Sequence, residues 1–399
     1  MTLPNILPDN VRLQIDRAQR RALAFGVVGL IITVALAFGL KDWTQFFHSY
    51  LVAYVFWMVF AMGCMAILQL HHMTGGRWGL PIRRILEAGT RTIPAMTVLF
   101  VPVLFGMSRL YPWMQAGSLG DEPAGHFRRV YLEPHFFIVR AVIYFAIWNL
   151  LAALLNKWSA EQDRTGDLIL KDRMSSLAAP GTILWALSWS WAMVDWVMTL
   201  EPTWYSSIYG MVFMVIACLA ALSFSVVMLR MLDGYQPLHD SYDPPRLNDI
   251  GNLMLTFTLL WTYMSFAQFL IIWSGNLKQE IPWVKVRAFG PWAPVAAALL
   301  ILHFFVPFFI LLQRGVKRRL QRLSVLAVWM LVITLVDVYW LIVPSFQQSG
   351  PRIHGLDVFA VIGIGGVWVG AYMAQLKKMP LLPLHDPRFA GVLEHQHGD

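Results

Sequence analysis

Charge and cysteine are scarce in this sequence. Only 14% of its 399 residues are charged, whereas 57% are hydrophobic; an ordinary soluble domain carries about 25% charge. Its two cysteines, Cys64 and Cys218, both lie inside apolar runs, so the sequence offers no disulfide framework and too few thiolates for an iron–sulfur cluster. These shortages exclude a disordered chain, a secreted disulfide scaffold and a soluble enzyme. They indicate a polytopic membrane protein.

Motifs of soluble catalysis are missing as well. The sequence contains no Walker A motif, no G-x-G-x-x-G after a strand and no nucleophile elbow. Its net charge of +8 comes from Lys and Arg in short loops, which is typical of membrane topology and not of a nucleic-acid partner. Because the longest loops have about 24 residues, any catalytic head must be another polypeptide.

Ten apolar runs are long enough to cross a bilayer, which takes about 20 helical residues. They predict an all-α membrane domain over residues 22–376, between an N-terminal segment at 1–21 and a C-terminal tail at 377–399. The predicted spans lie near 22–40, 47–70, 92–111, 136–156, 180–200, 207–230, 252–273, 291–312, 323–344 and 356–376. Gly366 and Gly370, in the last span, are spaced for close helix packing.

Basic residues predict the orientation of the chain. Of the 31 Lys and Arg, 22 fall in the two terminal segments and the even-numbered loops, and 8 fall in the odd-numbered loops. Since loops rich in Lys and Arg stay in the cytoplasm, both termini are expected there.

Ionisable side chains inside the spans are costly and therefore mark candidate sites. Asp195 and Asp337 lie at similar positions in the fifth and ninth spans, which suggests that spans two to five and six to nine form two related four-helix units. Arg140 is expected at the depth of Asp195, and Gln268 and His303 add polar groups nearby. A structural ion pair and a quinol or proton site are both compatible with this pattern.

A proton path is the second hypothesis for these residues. Asp337 has no evident cationic partner in the sequence, so it is expected to titrate, with His303 and Tyr339 as relays. The alternative is a neutral, protonated Asp337 that hydrogen-bonds a neighbouring helix. His71, His72 and Asp249 are candidates for proton uptake from the cytoplasm, although a solvated turn is the simpler interpretation of the two histidines. Because His303 is the only histidine near mid-span, no facing pair of haem ligands is expected, nor any metal site.

Several long motifs resemble one family. The sequence is similar to the ActF family, quinone-related membrane subunits of bacterial alternative complex III, and to the wider NrfD/PsrC-like superfamily. The resemblance covers residues 15–380. Its motifs are LHHMTGGRWG at 70–79, DWVM at 195–198 with EPTWYS at 201–206, DIGNL at 249–253, QFLIIWSGNL at 268–277 and EIPW at 280–283.

This resemblance implies a subunit without its own redox centre, in a quinol:electron-acceptor oxidoreductase that reduces cytochrome c or a similar acceptor. Iron–sulfur and c-type haem centres are expected only in partner subunits: an iron–sulfur subunit, multihaem cytochromes c, the paralogous membrane subunit ActC and small membrane subunits. The family fold is two four-helix bundles plus two extra helices. The resemblance implies a proton-conducting path in this subunit and leaves a bound quinone or menaquinone open.

A secondary transporter and a purely structural scaffold are the alternatives. A transporter favours broken helices at corresponding positions of two repeats, and Pro94, Pro102 and Pro307 do not form a matched pair. A scaffold needs no buried acids, so Asp195 and Asp337 argue against it.

Overall fold

The protein is a bundle of long helices. The computed structural model describes residues 8–115, 129–239, 241–383 and 385–386, and no strand occurs in these ranges. Ten helices within them are long and apolar enough to cross a membrane, which confirms the all-α, multi-pass fold. They are α1 (Asp9–Leu40), α2 (Trp43–Thr74), α3 (Arg83–Phe105), α4 (Pro134–Thr165), α5 (Ile169–Leu200), α6 (Tyr209–Met231), α7 (Pro244–Gly275), α8 (Ala293–Leu312), α9 (Leu320–Ser345) and α10 (Gly355–Leu376).

Five of these helices extend well past the predicted spans. Helices α1, α2, α4, α5 and α7 each have 32 residues, about 48 Å at 1.5 Å per residue, which exceeds the roughly 30 Å of a bilayer core. The charged segment 156–173, expected as a loop, is helical on both sides of a short turn around Gly166. Likewise, the N-terminal segment is helical from Asp9. Hydropathy marks only the apolar part of a helix, so the predicted spans are shorter than the helices.

Side-chain caps explain where several helices begin. Asp42 accepts a hydrogen bond from the backbone N–H of Gln45 at 2.9 Å and starts α2. Helices α4 and α7 begin with Pro134 and Pro244 at the first turn, after the capping acids Glu133 and Asp243. Proline suits this position because its missing N–H has no partner there in any helix.

Two helices are interrupted at prolines. Helix α3 is divided into short segments, with Pro94 and Pro102 in their first turns. Helix α8 contains a π-helical turn over Leu300–Phe305, immediately before Pro307. A proline ring clashes with the carbonyl four residues earlier, which here belongs to His303, so the wider turn accommodates the proline and places His303 at an irregular position.

Helix contacts can be described for two sets of four helices, α2–α5 and α6–α9. Helix α2 contacts α3 and α5, and α4 packs on α5; helix α6 contacts α7 and α9, and α7 packs on α8. These two four-helix groups meet where α2 contacts α6, the two most buried helices of the described chain. Helices α1 and α10 pack on each other, and α10 lies against α2.

Glycines bring α1 and α10 into backbone contact. A Cβ atom added at Gly366 would lie 2.3 Å from the backbone nitrogen of Gly26, and one at Gly29 would lie 2.8 Å from the nitrogen of Gly363. The predicted packing role of Gly366 and Gly370 is therefore confirmed, with α1 as the partner.

A buried ionic cluster attaches the C-terminal tail. Arg83 contacts Glu87 at 2.9 Å and Asp386 at 2.6 Å, and all three side chains are almost fully buried. Arg84 contacts Glu87 at 2.5 Å and also pairs with Asp163. The tail thus packs on α3 and the extension of α4, as far as residue 386, and is part of the fold rather than a free segment.

Candidate functional site

Arg140 and Asp195 form the pair expected from their positions in the sequence. The guanidinium of Arg140 donates from Nε to Asp195 Oδ2 at 2.8 Å and from Nη2 to Oδ1 at 3.1 Å. Asp195 is 1% exposed. This two-point geometry joins α4 to α5 and is the strongest form of an Arg–carboxylate contact.

Two tyrosines complete the surroundings of Asp195. The hydroxyl of Tyr131 donates to Oδ1 at 2.7 Å, and that of Tyr144 donates to Oδ2 at 2.9 Å. Arg140 also donates to the backbone carbonyl of Tyr131 and lies 3.9 Å over its ring. Four donors saturate the carboxylate, so the geometry favours a fixed ion pair over a site for a ligand.

Asp337 contacts Trp261, which the sequence did not single out, and lies beside His303, which it did. The indole N–H of Trp261 donates to its Oδ2 at 2.8 Å, and His303 Nδ1 lies 3.5 Å from the same oxygen. The rings of Trp261 and His303 lie 4.2 Å apart. His303, which sits in the irregular turn of α8, was expected as a relay near Asp337 and does lie beside it, whereas the contact with Trp261 was not predicted.

A cavity of about 310 Å³ lies beside this group, between α6, α7, α8, α9 and the segment before α8. Trp261 belongs both to the cavity wall and to the contact with Asp337. Gln268 lines the cavity from α7, Trp340 from α9, and Arg287 from the loop that precedes α8. Most of the remaining lining is apolar. Two of these apolar residues, Phe266 and Leu300, are 59% and 47% exposed, so the cavity opens on the surface of the bundle.

Three buried polar atoms of the lining residues have no hydrogen-bond partner in the described part of the chain. They are Oε1 of Gln268, Nε1 of Trp340 and Nε of Arg287. A buried polar atom left unpaired costs about 1–3 kcal/mol, which a ligand with hydrogen-bonding oxygens would recover. One acceptor and two donors suit a group that both donates and accepts, such as a phenolic hydroxyl.

Arg287 is positioned by the neighbouring loops. Its Nη2 lies 2.9 Å from Glu201 Oε1 and donates to Ser345 Oγ at 3.0 Å. Its guanidinium lies 4.3 Å over the ring of Trp283, which stacks on Trp204. Burial lowers the pKa of Arg287, and the Glu201 carboxylate opposes this shift. These contacts close the cavity at the end where α8 begins.

The other predicted relay residues do not join this site. The hydroxyl of Tyr339 donates to Asp357 at 3.3 Å and to the carbonyl of Arg352 at 3.1 Å. Tyr339 was therefore wrongly grouped with Asp337. Neighbouring residues on a helix point in different directions, and a separation of two positions places the side chains on nearly opposite faces.

The histidine pair is buried rather than solvated. His71 and His72 are 0% and 5% exposed, and the His71 ring packs edge-on against Trp78 at 5.3 Å. A Cβ atom at Gly79 would lie 2.2 Å from His71 Nδ1, so glycine is needed for this contact. Asp249 is exposed near the start of α7, and no hydrogen bond within the described chain connects it to either histidine. The solvated-turn interpretation was wrong.

Within the described residues, no group of three or more His, Cys, Asp or Glu side chains is arranged to hold a metal ion. No protein-family model matches the chain, and no curated protein matches its sequence. The geometry of the site therefore carries the functional argument.

Sequence reasoning missed Trp261, Arg287, Glu201 and Trp340. Arg287 was counted only as a loop cation, and Glu201 only as part of a motif and a span boundary. The sequence contains 18 tryptophans, and nothing in the sequence distinguishes Trp261 from the others. A polar residue such as Gln268 inside an apolar run was the one usable signal for this cavity.

Proposed function

We propose that this chain is the integral membrane subunit of a quinol:electron-acceptor oxidoreductase of the alternative complex III type, and that the cavity beside Trp261 binds a quinone headgroup. One observation carries the proposal: a cavity open to the outer surface of the bundle shares the Trp261 wall with a buried carboxylate and imidazole. An apolar pocket with a few convergent polar groups is the usual form of a ligand site.

The lining matches the two halves of a quinol. The exposed apolar side chains at the opening suit an isoprenoid tail, and Gln268, Trp340 and Arg287 offer hydrogen bonds to the ring oxygens. Oxidation of a quinol to a quinone releases two electrons and two protons. Asp337 and His303 lie next to the cavity wall as proton acceptors, while the electrons leave to iron–sulfur and haem centres of partner subunits.

The setting follows from the resemblance and from the basic residues. The partners are the paralogous ActC-type subunit, an iron–sulfur subunit, multihaem cytochromes c and small membrane subunits, and the bound quinone is a menaquinone or a related compound. Both termini lie in the cytoplasm of a bacterium whose inner membrane holds the complex. This chain supplies the proton path and the quinone pocket, not a redox centre.

The contacts argue against the two alternatives. A scaffold has no need of the buried polar atoms that line the cavity. A transporter with inverted repeats has its helix breaks at matching positions, whereas the breaks here fall in the second helix of one four-helix group and the third helix of the other.

Binding of a fluorescent quinol analogue to the purified full-length chain tests the proposal. We expect Gln268→Leu to weaken binding about tenfold, the effect of one lost hydrogen bond of about 1.4 kcal/mol. Gln313→Leu is the matched control, because Gln313 is exposed at the end of α8. Equal binding of the analogue by both variants would show that the cavity beside Trp261 is not the quinol site. Purification from native membranes without a multihaem cytochrome and an iron–sulfur protein would contradict the assignment to a complex.

A further inference from the structure

A second site lies near the N-terminus, on the part of α1 that precedes the predicted span at 22–40. A crevice of about 550 Å³ separates this extension from the end of α6 and is lined by Leu13, Gln14, Arg17, Arg21 and Met231, among others. Gln14 Nε2 donates to the backbone carbonyl of Met231 at 3.3 Å, which holds the two helices together at the crevice.

The charge of this crevice is uncompensated. Arg17 and Arg21 line it one helical turn apart, and neither has a hydrogen bond or ion pair with an acid in the described part of the chain. The nearest acid in sequence, Asp16, is engaged by Lys377 at 2.8 Å. Like charges four residues apart on a helix repel each other by a few tenths of a kcal/mol, a cost that a bound anion would remove.

The apolar surface beyond the crevice narrows the choice of anion. On the same side of α1, one to two turns past Arg21, Phe25 and Val28 are 66% and 53% exposed. These side chains belong to the apolar part of the helix, where lipid is the surrounding medium. A cationic crevice followed by an exposed apolar stripe matches a phosphate headgroup followed by an acyl chain.

We propose that this crevice is a binding site for an anionic phospholipid, with the phosphate between Arg17 and Arg21 and an acyl chain along Phe25 and Val28. Clusters of Lys and Arg next to a membrane helix, and basic pockets between such helices, bind anionic headgroups, each cation contributing about 1 kcal/mol. The site is separate from the cavity beside Trp261, so neither depends on the other.

Thermal unfolding of the full-length chain in detergent tests the site, with phosphatidylglycerol, phosphatidylcholine or inorganic phosphate added. A ligand that binds only the folded state raises the melting temperature with concentration. We expect phosphatidylglycerol to stabilise the protein more than phosphatidylcholine does. The variant R17Q/R21Q should weaken this effect about tenfold or more, expressed as the lipid concentration needed.

R12Q/R20Q is the matched control, since it removes the same charge from the same helix at exposed positions outside the crevice; its affinity should stay within about twofold. Equal weakening by the two double variants would show general electrostatic attraction and overturn the site. Stabilisation by inorganic phosphate equal to that by the lipid would assign the crevice to a free anion instead. Should R17Q/R21Q fail to fold, Arg17→Gln alone replaces it, with Arg20→Gln as its control.

Discussion

The indole N–H of Trp261 donates a hydrogen bond of 2.8 Å to Asp337, and the ring of the same residue lies 4.2 Å from that of His303. One aromatic side chain thus separates a cavity from a buried acid and a buried base. Substitution of Asp337 should therefore have different consequences from substitution of Asp195, the buried acid of the other four-helix group.

Asp337→Asn should leave the chain folded and the complex assembled. The amide oxygen of asparagine still accepts the hydrogen bond from Trp261, but the side chain no longer titrates. We expect fewer protons released per electron in vesicles that contain the complex. Asp172→Asn, at an exposed position outside the proposed path, is the control and should leave the ratio unchanged. A normal ratio with full quinol turnover in the Asp337 variant would make Asp337 a structural residue.

Asp195→Ala should damage the fold rather than the proton ratio. It leaves the buried guanidinium of Arg140 without its partner, and breaking a buried pair costs about 3–5 kcal/mol. Tyr144→Phe removes only one of four donors to the carboxylate and should cost about 1 kcal/mol. Melting temperatures of the purified chains measure both effects. Equal stability of the Asp195 variant and the wild type would show that the pair contributes nothing to the fold.

Asp386→Asn should loosen the C-terminal tail. Its carboxylate lies 2.6 Å from Arg83, and both side chains are fully buried, so loss of this charged hydrogen bond should cost about 1.5–3 kcal/mol. Limited proteolysis after residue 376 should become faster in this variant. Asp172→Asn, an exposed position in the first turn of α5, is expected to digest like the wild type. An unchanged digestion rate for both variants would contradict the attachment.

Gly366→Ala should push α1 away from α10. The added methyl group would lie 2.3 Å from a backbone nitrogen of Gly26, and backbone atoms cannot rotate aside as a side chain can. We expect a loss of about 1–3 kcal/mol, typical of overpacking. Gly39→Ala has no atom within 4 Å of the new methyl group and should be neutral or slightly stabilising. A melting temperature that falls equally in both variants would refute this packing.

A reporter that is active only in the periplasm, fused after residue 399, should stay inactive. The reason is the distribution of basic residues, with 22 on the predicted cytoplasmic side and 8 on the other. Fusion at the end of the whole chain is preferable to fusion after α10, because Leu381 and Leu382 are buried against the bundle. Strong periplasmic activity would show that the predicted orientation is wrong and that the proton path runs in the opposite direction.

The number of helices, their order and the Arg140–Asp195 pair could be predicted from the sequence. Apolar runs of about 20 residues and rare internal charges are local features, and each has few structural solutions in a membrane. Helix ends were less predictable, as the extensions of α1 and α7 show, because a polar helix outside the membrane has no hydropathy signal. The contact between Trp261 and Asp337 was not predicted, since nothing in the sequence distinguishes one tryptophan of a span from another.

The sequence by itself determined that this protein is an all-α membrane protein, with ten spanning helices in the residues that the structure describes, because burial of backbone polar groups in lipid leaves the helix as the structure for each apolar run. Only the tertiary structure decided which polar side chains act together. It placed Tyr339 with Asp357 and Trp261 with Asp337, and it brought Arg287 to the cavity. Such contacts depend on helix rotation, on irregular turns and on loops that return to the bundle, and none of these is encoded in the spacing of residues along one helix.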